Sequence, residues 1–455
     1  MEQRSSSILK YGIFAGISSF AVCSAKGQNP QVNPNILIIL ADDLGFGDLS
    51  CQGAKDLKTP NIDRIFNEGI KFTNFYANST VCSPSRAALL TGCYPDMVGV
   101  PGVIRTHENE SWGYLTPEAV LLPRLLTKSN YKTAIIGKWH LGLEAPNLPN
   151  SKGFDEFYGF LGDMMDDYYT HLRHDINYMR INDQIVNPSG HATDIFTDWT
   201  LDYLNKSSKK KEPFLLYLAY NAPHDPLQPP AEWLAKVKKR DSGISEKRSK
   251  LIALIEHLDW NVGRILKQLE ISGQLDNTLI IFTSDNGGLL SSEATNGPYR
   301  GGKQDLYEGG IRVPAGFMWK NKIKPGMVSN NVCLLMDLFP TICEIAGVKI
   351  ENQIDGISIL PSLKGEEQIT DNRPVYFMRR EGGLKYGGLS YYSARYKDYK
   401  IVQNTPWEPM QFFNLRADPY EKQPLEKNKQ MAYENLFNQL TRHIQLSGSI
   451  PWQKK

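Results

Sequence analysis

Four stretches of the chain are apolar almost without a break: 35–40, 133–137, 214–220 and 279–284. Unbroken rather than alternating hydrophobicity marks strands covered on both faces, as in a parallel sheet. Between and around them the pattern turns helical. Leu251, Leu254, Ile255, Leu258, Val262, Ile265 and Leu266 recur at three- and four-residue spacing, predicting a long helix over 250–271 with His257 and Asp259 as structural residues on it. Shorter helices are predicted from Thr59-Pro60, over 116–126 with Pro123 kinking or shortening it, and from Ser83-Pro84 to Thr91-Gly92. A short strand is expected at 72–76. Beyond Gly365 the pattern becomes mixed: 373–378, 389–395, 397–403 and 411–415 read as strands of a one-sided antiparallel sheet, with a closing helix over 433–445. The expectation is an α/β domain with a large, mostly parallel sheet flanked by helices, over 29–368. A small α+β subdomain built on an antiparallel sheet is expected over 369–455.

Each apolar run stops at polar chemistry. The first ends in Asp42-Asp43, the second in Lys138-Trp139-His140, the third in Asn221-Ala222-Pro223-His224 and the fourth in Asp285-Asn286. Open α/β sheets place ligands at the carboxyl ends of their strands. Adjacent carboxylates there must be solvated, paired or bound to a cation. Asp42, Asp43, Asp285 and Asn286 are all oxygen donors, which suits Ca²⁺ or Mg²⁺ rather than a thiolate-seeking metal. Lys138, His140, His224, Arg86 and Lys303, the last in a glycine-rich loop over 296–314, supply charge for a tetrahedral anion. Singly, each of these residues is commonplace; their concentration at strand ends is not.

The segment 81–92, Val-Cys-Ser-Pro-Ser-Arg-Ala-Ala-Leu-Leu-Thr-Gly, places Cys82 just outside a predicted helix start, with Ser83 as N-cap and Pro84 as first helical residue. Unpaired N–H groups and the helix dipole favour anions at such a point. Arg86, one turn in, is expected to direct a cation back toward Cys82.

These residues resemble the signature of the sulfatase family, Cys-x-Pro-Ser-Arg-x-x-x-x-Thr-Gly, at every fixed position. The resemblance extends to Asp42-Asp43, Gly137-Lys138-Trp139-His140, Pro223-His224, Asp285-Asn286 and Lys303, and covers residues 33–365. It implies an alkaline-phosphatase-like sandwich fold and hydrolysis of sulfate monoesters. By the same resemblance Cys82 is converted by a formylglycine-generating maturation enzyme to 3-oxoalanine (formylglycine), whose hydrate is the nucleophile. Asp42, Asp43, Asp285 and Asn286 would bind Ca²⁺, with Mg²⁺ the alternative. Cys82, Arg86, Lys138, His140, His224 and Lys303 would be catalytic, His224 protonating the departing alcohol and His140 taking the second hydroxyl's proton.

Composition narrows the picture further. The 455 residues carry 51 Lys+Arg against 49 Asp+Glu, a formal net charge of +2, which gives no case for a nucleic-acid partner. Residues 1–28 read as a cleaved export signal: Arg4 and Lys10 precede an apolar stretch too short for a membrane span, and small residues follow. A periplasmic or secreted protein follows, with a lipoprotein through Cys23 disfavoured because Val22 precedes the cysteine. The five remaining cysteines are too few for a disulfide scaffold.

The expected substrate is a sulfated carbohydrate or an aryl sulfate. Candidate substrate-binding residues are Arg105, His107, Asp166, Asp167, His171 and His174, with Arg379 and Arg380 beyond the core. Two other readings stay open at this point: a phosphonate or phosphodiester hydrolase of the same superfamily, and a non-catalytic sulfated-glycan binding protein. The absence of a Gly-x-Ser-x-Gly elbow argues against a serine hydrolase through Ser83 or Ser85.

Overall fold

The computed structural model describes residues 33–107, 111, 113–210, 212–381, 388–427 and 430–451. The export signal expected at 1–28 lies outside the described residues.

The four apolar runs are strands, Asn35–Ala41, Lys132–Lys138, Phe214–Ala219 and Thr278–Ser284, and they lie side by side. Asn35–Ala41 pairs in parallel with Thr278–Ser284 on one side and Phe214–Ala219 on the other, and Lys132–Lys138 continues the parallel set. They form the centre of a ten-stranded sheet. On one flank, antiparallel Ala315–Met318 leads to Ile70–Tyr76 and Met327–Leu334; on the other, parallel Glu156–Phe160 leads to two short antiparallel strands, Met179–Ile181 and Gln184–Ile185.

Successive strand residues face opposite sides, and both sides are covered. Ile36, Ile38, Leu40, Ile281 and Tyr217 pack with residues of helices Cys82–Thr91 and Leu338–Ile345. Leu37, Ile39, Ile280, Phe282 and Leu216 pack with helices Pro60–Asn67, Ala192–Lys210 and Glu246–Ile271. The continuous hydrophobicity of the strands follows from this double coverage.

The long helix starts four residues earlier than its apolar spacing predicts, at Glu246, because Ser245 caps it by accepting the Arg248 N–H at 3.0 Å. The helix expected over 116–126 is shorter, Leu122–Leu126, and Pro123 begins it rather than kinking it. An interior proline loses a helical hydrogen bond, whereas one in the first turn does not. The Thr116 and Pro117 carbonyls instead accept from Lys152 Nζ at 3.2 Å each. Helix Ala192–Lys210 had no counterpart in the sequence reading, although Ile195, Phe196, Tyr203 and Leu204 give it a buried stripe.

The antiparallel sheet contains Val375–Arg380, Ser390–Tyr396, Tyr399–Gln403 and Gln411–Asn414 in sequence order. One face, through Ala394, Ile401 and Phe412, packs against Leu436 and Leu440 of helix Met431–Ser447. The other, through Phe377, Val402 and Phe413, meets Tyr76, Ile311 and Leu334 of the large-sheet region. All five described cysteines are free.

Candidate active site

Because the central strands run parallel, their carboxyl ends share one edge, and the polar residues that follow them meet there. Ligating atoms of Asp42, Asp43, Cys82 and His224 all lie within 4.8 Å of one another, and all four residues are buried. Residues separated by up to 182 positions thus enclose a single point.

Cys82 is the first residue of helix Cys82–Thr91, all ten residues of which are buried. The helix begins at Cys82, with extended Val81 as its N-cap, so Ser83 does not cap it. The Ser83 hydroxyl instead accepts the Ile104 N–H at 3.1 Å. The helix stops at Gly92, whose φ of 71° is the left-handed conformation glycine adopts without cost. Burial pushes the Cys82 thiol up to about 12, against the pull of Lys138 and Lys303. An unmodified Cys82 is therefore a neutral thiol, a poor nucleophile at physiological pH.

Three carboxylates and three cations surround it. Lys138 Nζ donates to Asp42 Oδ2 at 2.6 Å, and Lys303 Nζ to Asp43 Oδ2 at 2.7 Å. Arg86 is turned onto the acids, donating through Nε and Nη2 to Asp285 Oδ2 at 3.1 and 2.7 Å and through Nη1 to the Lys138 carbonyl at 3.2 Å. Asn286 Nδ2 donates to Asp43 Oδ1 at 2.8 Å. Lys303 reaches this cluster because its loop lies tight against 285–288: Lys303 N–H donates to the Gly288 carbonyl, and a Cβ on Gly287 would sit 1.9 Å from the Gly309 carbonyl oxygen.

The acids do not share their charge evenly. Burial opposes ionisation of Asp42, but Lys138 first, then His224 and Arg86, hold its carboxyl far below the usual range. Burial, with Asp42 beside it, pushes Asp285 up to about 7. A carboxyl so raised in spite of the Arg86 fork marks a place short of positive charge. Two buried oxygens lack a hydrogen-bond donor: Asn286 Oδ1, and Asp42 Oδ1, which has only the Arg86 Nη2 charge at 3.5 Å. Hard oxygen donors, two of them without a hydrogen bond, amid crowded carboxylates fit a bound Ca²⁺ or Mg²⁺.

Two histidines flank the cluster. His224 Nδ1–H donates to the Asp225 carbonyl at 2.7 Å, leaving Nε2 to accept from Lys303 Nζ at 2.9 Å. Burial and then Lys303 lower its pKa. His140 Nε2–H donates to the Ile104 carbonyl at 2.8 Å, so its Nδ1 is the free lone pair, and that atom is buried without a partner. Burial first, then Lys138 and Arg86, drive His140 well below the ordinary histidine value, so it is neutral.

The candidate substrate-binding residues separate into two sets. Arg105 Nη2 donates to Glu381 Oε2 at 2.9 Å, and the His107 and His174 rings stack 4.5 Å apart, joining the 104–107 and 171–174 segments. Asp167 accepts the Tyr169 and Thr170 N–H groups and Gln228 Nε2, Asp166 accepts from Arg173 and the His174 N–H, and buried His171 pairs through Nε2 with the Gly190 carbonyl. These three spend polar atoms on holding their own loops. Arg379 and Arg380 lie at the end of strand Val375–Arg380, and Glu381 follows them. The sequence reading had passed over Glu381; only its position after two arginines signals it.

His257 and Asp259, expected to be structural, both bond to neighbouring elements of the fold. His257 Nε2 contacts Asp194 Oδ1 at 2.8 Å, and Asp259 accepts the Asn61 and Ile62 N–H groups at 3.0 and 2.7 Å, satisfying the start of helix Pro60–Asn67.

Comparison with known proteins completes the description. Residues 34–348 match the sulfatase family, and residues 301–447 match the N-sulphoglucosamine sulphohydrolase C-terminal family. The chain is 32% identical over 475 residues to mouse N-acetylgalactosamine-6-sulfatase, covering 94% of this chain and 88% of that protein. Superposition on Ps i-CgsB in complex with k-i-k-neocarrahexaose gives a TM-score of 0.84 at 32% identity, over 93% of this chain and 95% of that one. PsFucS1 sulfatase from Pseudoalteromonas sp. gives 0.76 at 25% identity, over 93% and 92% of the two chains.

Proposed function

The chain belongs to the sulfatase family and is a sulfuric ester hydrolase, and from that premise we propose that it removes sulfate from a sulfated carbohydrate through a formylglycine made from Cys82, beside a Ca²⁺. The carbohydrate is inferred from the relatives, whose names include an N-acetylgalactosamine-6-sulfatase and a complex with k-i-k-neocarrahexaose. The observation that carries the reading is the meeting of Asp42, Asp43, Cys82 and His224 within 4.8 Å in an otherwise buried site.

Asp42, Asp43, Asp285 and Asn286 would hold the ion, which would supply Lewis-acid polarisation to the sulfate group. A formylglycine at position 82 would, as its hydrate, supply the nucleophilic hydroxyl and a second hydroxyl from which the sulfate could be expelled. The remaining steps fall to side chains of the chain itself. Three carboxylates against three cations leave the protein charges nearly balanced, so a divalent ion gives the site the excess positive charge that a sulfate ester needs. Lys138 Nζ and Lys303 Nζ are fixed cations set where charge develops on the transferring group. Arg86, bonded to Asp285 and the Lys138 carbonyl, holds the acid and the lysine in register.

In this state His224 Nε2 is an acceptor from Lys303, so the proton for the departing alcohol is held on the Lys303–His224 pair and His224 passes it on. His140, neutral with Nδ1 exposed to no donor, is set to take the proton from the second hydroxyl. Among the described residues no helix is long and apolar enough to cross a membrane.

The test combines mass spectrometry of the Cys82 peptide with turnover of 4-nitrophenyl sulfate and of sulfated saccharides. Active protein should carry formylglycine at position 82, and fully active protein with an intact thiol there would overturn the assignment. Dialysis against EDTA should lower the melting temperature as well as turnover, and Ca²⁺ should restore both.

A further inference from the structure

Outside the group around Cys82, a second set of metal-ligating side chains converges where two helices meet. His191 directly precedes helix Ala192–Lys210, Asp194 stands in the first turn of that helix, and His257 belongs to helix Glu246–Ile271. One ligating atom from each of the three lies within 4.8 Å of the other two, and the set shares no residue with the group around Cys82. The histidines are 3% and 1% exposed, whereas the Asp194 side chain is 34% exposed and gives the set a route to solvent.

The rings are oriented by contacts on their far sides. His191 Nε2–H donates to the Gln228 carbonyl at 3.1 Å, which puts the lone pair on Nδ1, met by the Thr193 N–H at the long distance of 3.3 Å. Metal-binding histidines are commonly held this way, the second ring nitrogen donating to a carbonyl. His257 Nε2 lies 2.8 Å from Asp194 Oδ1. Its Nδ1 is buried without a partner, so no donor prevents the ring proton from sitting there and freeing Nε2 for an ion. Aromatic rings close over both histidines. Tyr168 stacks on His191 with centroids 4.9 Å apart, Trp260 stacks on His257 at 6.2 Å, and Trp233 lies 5.7 Å from His257. An apolar wall of this kind limits the access of water to a bound ion. Two imidazoles with one carboxylate suit a borderline ion such as Zn²⁺, whereas the all-oxygen set of Asp42, Asp43, Asp285 and Asn286 suits Ca²⁺.

We propose that His191, Asp194 and His257 form a Zn²⁺ site, with one nitrogen from each ring, one Asp194 oxygen and a fourth position left to water. The ion ties the start of helix Ala192–Lys210 to helix Glu246–Ile271. The tie extends toward the catalytic edge, because Gln228 Oε1 accepts the Tyr168 N–H at 2.8 Å and Tyr168 donates through its hydroxyl to the Asn221 and His224 carbonyls, each at 2.8 Å. The inference does not depend on the reaction proposed above.

The test uses the full matured protein, stripped with EDTA and returned to excess Ca²⁺ so that the oxygen-rich group is filled. Calorimetric titration with Zn²⁺ should show one tight equivalent, and saturation should raise the melting temperature by about 2 °C or more. Co²⁺ in place of Zn²⁺ should give the visible absorption of a four-coordinate nitrogen–oxygen complex. His191→Gln, His257→Gln and the milder Asp194→Asn, each verified as folded by circular dichroism, should weaken Zn²⁺ binding by about tenfold or more and lose the thermal shift. A folded wild type that takes up no Zn²⁺ equivalent would overturn the proposal without recourse to any variant. Undiminished affinity in any folded variant of the three would overturn it as well, by placing the ion elsewhere.

Discussion

The glycine-rich loop 296–314 contributes to two buried charge clusters, and the two are finished differently. Through Lys303 it enters the group around Asp42, Asp43 and Asp285. Through Glu308 and Arg312 it enters a second group with Lys400, Glu421, Arg395 and Tyr76. There Lys400 Nζ lies 2.9 Å from Glu308 Oε1 and 2.8 Å from Glu421 Oε1, Glu308 Oε2 accepts from Tyr76 and Arg312, and Glu421 Oε2 accepts the Glu308 N–H at 2.6 Å. Arg395 donates to Tyr76. Every carboxylate oxygen of this second group has a cation, hydroxyl or N–H within 2.9 Å. In the first group Asp42 Oδ1 and Asn286 Oδ1 have no donor and Asp285 is pushed up to about 7. A closed network holds structure together, whereas an incomplete one waits for something else to complete it. Burial and charge density alone do not distinguish them; how closely each oxygen is met does, since Glu421 Oε1 has Lys400 Nζ at 2.8 Å whereas Asp42 Oδ1 has Arg86 Nη2 only at 3.5 Å.

Four measurements probe that contrast. Cys82→Ala removes the centre of the open group and should abolish turnover while leaving the urea midpoint unchanged; retained activity would break the distinction at its root. Lys400→Met attacks the closed group. It leaves two buried carboxylates without their shared cation and should cost about 3–5 kcal/mol in urea unfolding. Lys138→Ala, in the open group, should lower kcat/KM by about 10²–10³, or roughly 3–4 kcal/mol, with a smaller change in stability once Ca²⁺ is present. A stability loss as large as that of Lys400→Met would mean both groups are structural.

The smallest effect is in the pH dependence of the closed group. Burial opposes ionisation of Glu308, but Lys400 first, then Arg312 and Arg395, hold its carboxyl well below the usual 4.5, whereas burial raises Glu421. Of the two, Glu308 is therefore the carboxyl that stays ionised further into acid. A lowered folded-state value contributes stability above pH 4.5 that is lost as the pH falls from there toward the folded value. Unfolding followed by circular dichroism should show that acid-side loss in the wild type and a flatter profile in Lys400→Met.

Much of the open group could be read from the chain because unbroken apolar runs stop abruptly at acids, amides, His and Lys. Parallel pairing then brings those stops to one edge. The closed group could not be read in the same way. Glu308, Lys400 and Glu421 stand in mixed polar sequence, and only the packing of the antiparallel sheet against Tyr76 and Ile311 brings them together. Helix starts were misplaced where proline or serine had a use other than capping, as Pro123 and Ser83 show. Asp167 and His171 drew attention as polar residues in a spacious loop, but residue type does not reveal that their partners are backbone atoms of nearby turns and loops.

The wholly buried Cys82–Thr91 helix has a consequence for the order of events during synthesis. Residue 82 leaves the ribosome early, whereas the segments that enclose it, around 138–140, 224, 285–303 and 378, are translated afterwards. The thiol is therefore open to a modifying enzyme while the chain is still growing and shut away once the last of those segments docks. A modification that requires another enzyme to close around residue 82 therefore belongs to the nascent or unfolded polypeptide, and the finished molecule preserves its outcome.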